Sequence, residues 1–221
     1  MIPWMTPMLQ QLFIESALET LMMVSGAAVI AIVIGLPLAV LLHATDRGGL
    51  AQNGLVNRPL GLLINAVRST PFIILMVAIV PFTRLVAGTS IGTGAAIVPL
   101  ALASTAFIAR LFETAFREVD RGVVEAARAM GSTRMQILWK VIVPEALPGL
   151  IAAVTVTLVS LVGYSAMAGA VGGGGLGDLG IRFGYQRFMP EVMASVVIVL
   201  ILFVQGLQSF GDWLVRRVRR R

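Results

Sequence analysis

Four long uncharged stretches decide what this chain can fold into. Thr20–Leu42 runs for 23 residues, Leu85–Ala109 for 25, Ala146–Gly177 for 32 and Val192–Gly211 for 20, none containing Asp, Glu, Lys or Arg. A helix needs about 20 apolar residues to cross a hydrocarbon core of about 30 Å. It is also a structure that satisfies its own backbone polar groups there. A fifth stretch, Ser69–Thr83, has only 15 residues. Extended back to Pro59 it reaches spanning length, with Arg68 near one end, where its long side chain snorkels to the headgroups. The expectation is an all-α integral membrane protein with five transmembrane helices. Composition agrees, at 57% hydrophobic and 13% charged, against about 25% charged in a soluble domain. A basic nucleic-acid-binding domain is not this apolar, so the net charge of +6 does not indicate nucleic acid. Without cysteine there is no disulfide, thiolate nucleophile or Cys-ligated metal, and the redox compartment is left open.

The basic residues predict orientation, because Lys and Arg accumulate in cytoplasmic connections. On one side lie Arg47, Arg58 and Arg68, then Arg110, Arg117, Arg121, Arg128, Arg134 and Lys140, then the five arginines between Arg216 and Arg221, which makes 14. The other side has three: Arg84, Arg182 and Arg187. The N-terminus is therefore expected outside and the C-terminus inside, as an odd number of spans requires. The first span is too long for a signal-peptide core, and the 19 residues before it carry Glu15 and Glu19 but no Lys or Arg. The basic tail, 212–221, reads either as a cytoplasmic stop-transfer anchor or as a site for anionic membrane lipid. No heptads, low-complexity linker, internal repeat or second domain interrupt a single membrane domain over 15–211.

The longest cytoplasmic connection, Arg110 to about Pro144, is patterned rather than merely polar. Val119, Val123, Ala126/Ala127 and Met130 recur at helical spacing, with Asp120, Arg121, Glu125 and Arg128 on other faces. Gly131 ends that helix, since glycine accepts the left-handed conformation after a C-cap. Thr133 and Gln136 have capping-box spacing for a second short helix, with Met135, Ile137, Leu138 and Trp139 as apolar contacts. Pro144 and Pro148 sit where the next span starts, in a first turn that tolerates proline. Two amphipathic helices joined at a glycine either lie in the headgroup layer or dock a partner, and their pattern alone leaves both open.

Glu125-Ala126-Ala127, three residues, Gly131, nine residues, then Val141-Ile142-Val143-Pro144 resembles the EAA motif of bacterial ABC importer permeases, with Val141 and Val143 in place of the usual Ile and Leu. More specifically, Arg68-Ser69-Thr70-Pro71-Phe72, Pro81-Phe82-Thr83-Arg84, Gly88-Thr89-Ser90-Ile91-Gly92, Pro144-Glu145-Ala146-Leu147-Pro148 and Val162-Gly163-Tyr164-Ser165-Ala166-Met167 are similar to the permeases of bacterial methionine importers, over roughly Glu15 to Arg217. The resemblance implies a multi-pass protein of the bacterial inner membrane. It implies two identical five-span copies, two cytoplasmic ATP-binding subunits and an extracytoplasmic methionine-binding lipoprotein, with no cofactor of the permease's own. The loop at about 112–143 would be a coupling helix seated in a groove of the ATPase. Ala126 and Ala127 would permit close approach, Gly131 would make the turn, Glu125 would meet a basic or polar group on the ATPase, and Pro144 would close the motif. Methionine, in its L- or D-form, is implied by the resemblance alone.

The fourth span carries Ala153, Thr157, Ser160, Tyr164 and Met167 along one face. Intramembrane polar groups face a bundle interior or a water-filled path, though hydroxyls bonded to their own helix and small residues packed on neighbours give the same stripe. Thr157, Ser160, Tyr164 and Met167 are the candidate pathway residues, with the flexible Met167 near the outer end as a gate. Beyond it, Gly169 and Gly172–Gly175 predict a flexible outer loop holding Leu176, Gly177 and Asp178, for contact with the binding protein or for tight packing. Gly172, Gly174 and Gly177 fit G-x-G-x-x-G by accident, because a dinucleotide site needs a strand before it. Arg68 beside Pro71 either fixes the start of the second span or bonds the coupling region. His43, the sole histidine, lies at a membrane edge and suggests neither a metal site nor a proton relay.

No G-K-[ST] occurs, so this chain has no phosphate-binding loop and is not itself an ATPase. Rivals are a permease for another amino acid, a secondary transporter, an intramembrane hydrolase using Ser165, and a membrane scaffold. Missing intramembrane acids and repeat halves disfavour the second. Ser165 has no histidine partner on its side of the membrane, and the coupling motif disfavours a scaffold.

Overall fold

The computed structural model describes residues 7–219. The first six residues, and Arg220 and Arg221 of the basic tail, lie outside the described residues. Among the described residues every regular element is helical. They are α1 (Pro7–Thr45), α2 (Gly54–Ser69), α3 (Phe72–Ala78), α4 (Val80–Ala87), α5 (Thr93–Arg117), α6 (Arg121–Ala129), α7 (Arg134–Ile137), α8 (Val143–Glu145), α9 (Leu147–Ala168), α10 (Gly175–Leu179) and α11 (Pro190–Arg219). π-helical turns fill Leu138–Ile142, Gly169–Gly173 and Gly180–Tyr185.

Four of these helices, α1, α5, α9 with its π turn, and α11, are long and apolar enough to span a membrane. A fifth span exists only if α2 and α3 are counted together, and they meet at a bend of 107°. The expected continuous span from Pro59 to Thr83 is therefore corrected. Pro71 pushes Thr70 out of the helical region, to φ −83 and ψ 125, and Ile79 interrupts the chain again before α4. Arg68 consequently sits exposed in the last turn of α2, at the bend, and not at the start of a span.

The third span also shifts. Leu85–Ala87 belong to α4, which Gly88 ends at φ 74, and the spanning helix starts at Thr93 and continues through Arg117. The charges that were expected to end it at Ala109 bond to one another instead. Arg110 Nη1 lies 2.6 Å from Glu113 Oε2, and Arg117 Nη2 lies 2.7 Å from Glu113 Oε1 and 2.8 Å from Asp46 Oδ2. Paired at i,i+3 and i,i+4, they support the helix.

α1 packs most extensively on α5, and small residues make that approach possible. Ala27, Ala31, Gly35 and Ala39 repeat every fourth position on the buried face of α1. A Cβ on Gly35 would stand 2.5 Å from Ile108 Cγ2. Where lipid tails are as apolar as leucine, such close backbone packing drives helix association. α9 then packs against α1, α5 and α11.

The segment after α9 is a third correction. The flexible loop expected at Gly169 and Gly172–Gly175 is instead a folded hairpin, tightly packed: its Leu176 (2% exposed), Leu179 and Phe183 pack with Leu9, Val192 and Val196. Glu19 Oε2 accepts the Gly175 N–H at 2.6 Å and Thr20 Oγ1 accepts the Leu176 N–H at 2.9 Å, which ties this hairpin to α1.

Candidate functional site

The connection between α5 and α9 folds as a helical hairpin on one end of the bundle. Asp120 caps α6 by accepting the Gly122 and Val123 N–H groups at 2.7 and 3.3 Å; it is a cap rather than part of a helix face. Gly131 turns the chain at φ 80, donating to Arg128 O while Ser132 donates to Ala127 O. This is the Schellman-type stop that glycine favours. The Thr133–Gln136 capping box forms in both directions, at 2.8 and 3.3 Å.

Burial divides the hairpin differently from the expected periodicity. Ala127, Ile137, Leu138 and Ile142 are buried in one cluster with Ile108, Phe112, Phe116, Leu150 and Ala153. The hairpin is thus keyed into α5 and α9, and through Ala31 and Ala39 into α1. Val123 (44%) and Met130 (80%), two of the helically spaced apolar positions, are exposed, as are Met135 and Trp139. Glu125, Ala126 and Gly131 are exposed beside them, and Pro144 is exposed at the far end of the π turn. Of the five EAA-motif residues singled out by sequence, Ala127 alone faces inward.

The polar stripe of α9 is placed as follows. Thr157 is buried, its hydroxyl donating to Ala153 O at 2.8 Å, and Ser160 likewise donates to Val156 O at 2.9 Å. Tyr164 stacks on Phe72 with centroids 4.7 Å apart. Met167 is 48% exposed at the end of α9 opposite the hairpin. Nineteen positions separate Pro148 from Met167, about 29 Å along a helix axis at 1.5 Å per residue. The two groups of candidate residues are therefore joined by one helix rather than by direct contact.

Two groups escape a reading by motif. Glu113, 2% exposed, is clamped between Arg110 and Arg117, while Arg110 Nη2 also donates to Gly61 O on α2 at 3.1 Å. The signal available was its i,i+3 and i,i+4 spacing to two arginines. Glu19 holds the hairpin that follows α9, and nothing local marks that role because its partner is 156 positions away. A cavity of about 200 Å³ between α3, α4, α5 and the glycine-rich turn is lined by Met76, Thr83, Ser90 and Ala95 among others.

Known proteins bear directly on this architecture. The family described as "Binding-protein-dependent transport system inner membrane component" matches residues 31–221. A protein of Vibrio cholerae, "Probable D-methionine transport system permease protein MetI", is 53% identical over 210 residues, 95% of this chain and 93% of the relative. Its namesake from Pasteurella multocida is 48% identical across 98% of this chain and 100% of its own. Among solved structures, one described as "Inward facing conformations of the MetNI methionine ABC transporter" superposes with a TM-score of 0.95 at 48% identity, covering 97% of this chain and 99% of that one. An amino acid ABC transporter at 20% identity and a TM-score of 0.80 shares the fold. This chain belongs to the family of binding-protein-dependent transport system inner membrane components, the multi-pass permeases of ABC importers.

Proposed function

We propose that this chain is the permease of an ATP-driven methionine importer in the bacterial inner membrane, acting as a pair of identical copies. Two cytoplasmic ATP-binding subunits dock on its hairpin, and an extracytoplasmic binding protein delivers substrate. The N-terminus lies outside, the C-terminus inside, and the bent α2–α3 pair counts as the fifth span. Methionine as substrate is supported by the relatives' names; pairing and the ATPase partner by likeness to the MetNI transporter.

The observation that carries this reading is the hairpin's two-sidedness. One side is keyed into the cluster at the ends of α1, α5 and α9. The other exposes Val123, Ala126 and Met130 around Glu125. Exposed apolar side chains gathered outside a span mark a docking surface, and a close-packed core transmits displacement because it resists compression. Nucleotide binding that moves the docked ATPases therefore tilts α5 and α9, whose far end carries Met167. Switching between outward- and inward-open states requires that nucleotide and partners favour one state over the other. In this scheme Glu125 pairs with a basic or polar group on the ATPase, Gly131 sets the turn, and Thr157, Ser160 and Tyr164 lie along the substrate path with Met167 as its gate.

The test is uptake of labelled methionine by cells lacking their own importer and supplied with this permease, its ATPase and its binding protein. Wild type should accumulate label, with competition by unlabelled L- or D-methionine reporting stereochemical preference. Glu125→Lys should lose at least tenfold in uptake while the permease still inserts. An assembled complex that carries no methionine but takes up another amino acid would replace the substrate and leave the architecture. Met167→Ala should raise substrate-independent ATP hydrolysis or leak severalfold in reconstituted vesicles. Unchanged rates would remove Met167 from the gate.

A further inference from the structure

A groove of about 470 Å³ opens where α1 meets the hairpin. Leu36, Val40 and Leu41 of α1 form one wall and Leu138 and Trp139 the other, and the only charged residue lining it is Arg134. The α1 wall, from Leu36 to Ala44, runs about 12 Å along the helix axis. Most of it belongs to the uncharged stretch that ends at Leu42, so it lies at the depth of lipid tails, beyond the reach of a soluble subunit. Trp139 is 51% exposed, its indole N–H turned to Met135 Sδ at 3.1 Å. The Arg134 guanidinium, on the hairpin outside the spans, makes no ion pair or hydrogen bond among the described residues.

An apolar trough at tail depth beside an unpaired guanidinium has the chemistry of an anionic phospholipid. We infer that the groove holds one such lipid of the cytoplasmic leaflet, with an acyl chain along α1 and its phosphate on Arg134. Guanidinium matches phosphate in charge and in its fork of donors, and a basic residue near the membrane surface gains about fivefold in affinity for anionic lipid. Seated there, the lipid fills the joint between α1 and the hairpin. It stiffens the joint through which the proposed coupling passes.

The test is native mass spectrometry of the complete permease–ATPase complex, released from membranes of phosphatidylglycerol and phosphatidylcholine at equal amounts. Wild type should retain phosphatidylglycerol selectively, one molecule per permease copy. Arg134→Gln should cut that retention about fivefold, Arg134→Lys should restore most of it, and Ala44→Leu, which narrows the groove, should lower retention of both lipids. The ATPase counted in the same spectra registers any loss of assembly separately. Retention that is equal for the two headgroups, or unmoved by Arg134→Gln and Ala44→Leu, overturns the site. Loss confined to a variant of Arg216 and Arg217 transfers the lipid to the tail. Retention does not depend on which substrate is carried, so the outcome is independent of the uptake experiment.

Discussion

Glu113→Ala should destabilise the permease by about 3 kcal/mol or more, enough to deplete the assembled complex in the membrane. The carboxylate is 2% exposed and receives Arg110 at 2.6 Å and Arg117 at 2.7 Å, one on each oxygen. Removing one partner of a buried ion pair costs about 3–5 kcal/mol, because the remaining charge stays buried without compensation. Arg110 is 22% exposed and Arg117 53%, so water softens the loss and the lower end of that range applies. Arg110 also donates to Gly61 O, so this hydrogen bond between α5 and α2 loses the carboxylate that positions its donor. Asp46→Asn is the internal comparison. Its carboxylate is 36% exposed against a half-exposed Arg117, and such pairs contribute about 1 kcal/mol or less. Denaturant midpoints of the purified complex, with membrane levels, decide the matter. A Glu113→Ala variant no weaker than Asp46→Asn would show that the buried carboxylate is not what holds these helix ends.

Gly177→Ala is the second large effect, expected near 3 kcal/mol. A Cβ there would run into the backbone of Ala166, at its carbonyl oxygen, Cα and carbonyl carbon. Overpacking usually costs about 1–3 kcal/mol by moving side chains; here neither backbone can yield without undocking the hairpin from α9. The neighbouring contacts, Glu19 to Gly175 N–H and Thr20 to Leu176 N–H, depend on the same seating, so the variant should lose complex and uptake together. Gly206→Ala, on exposed α11 with nothing within 4 Å of the added carbon, should be neutral or gain up to about 1 kcal/mol from helix propensity. Equal melting midpoints for the two variants would overturn the steric account.

What could be read from the chain before its fold was known follows one-dimensional rules. Spans of 20 or more uncharged residues need no partner to be recognised, because the bilayer imposes the same length on each. Gly131, the Thr133–Gln136 box and the first-turn prolines were legible for a similar reason: caps and turns are solved within a few residues. The resemblance carried by Glu125-Ala126-Ala127 and Gly131 led to the family that comparison with known proteins establishes.

Where the expectations failed, charge pairing, a proline bend and packing intervened. Arg110 and Arg117 looked like the end of a span, yet Glu113 neutralises them and α5 runs on. Pro59–Thr83 had the length of one helix, but Pro71 turns the chain by 107°. The glycine-rich stretch after Met167 looked flexible because glycine is permissive, and the same missing side chains let it press onto Ala166 and Glu19. The apolar positions of α6 were correctly seen as amphipathic, but which of them face inward was set by the ends of α5 and α9. Local covalent rules and the thickness of the bilayer act on neighbours in the chain, so they are written in the order of its residues. The Glu19–Gly175 tether and the inward face of the hairpin arise from atoms well separated in the chain, and only packing brings those together.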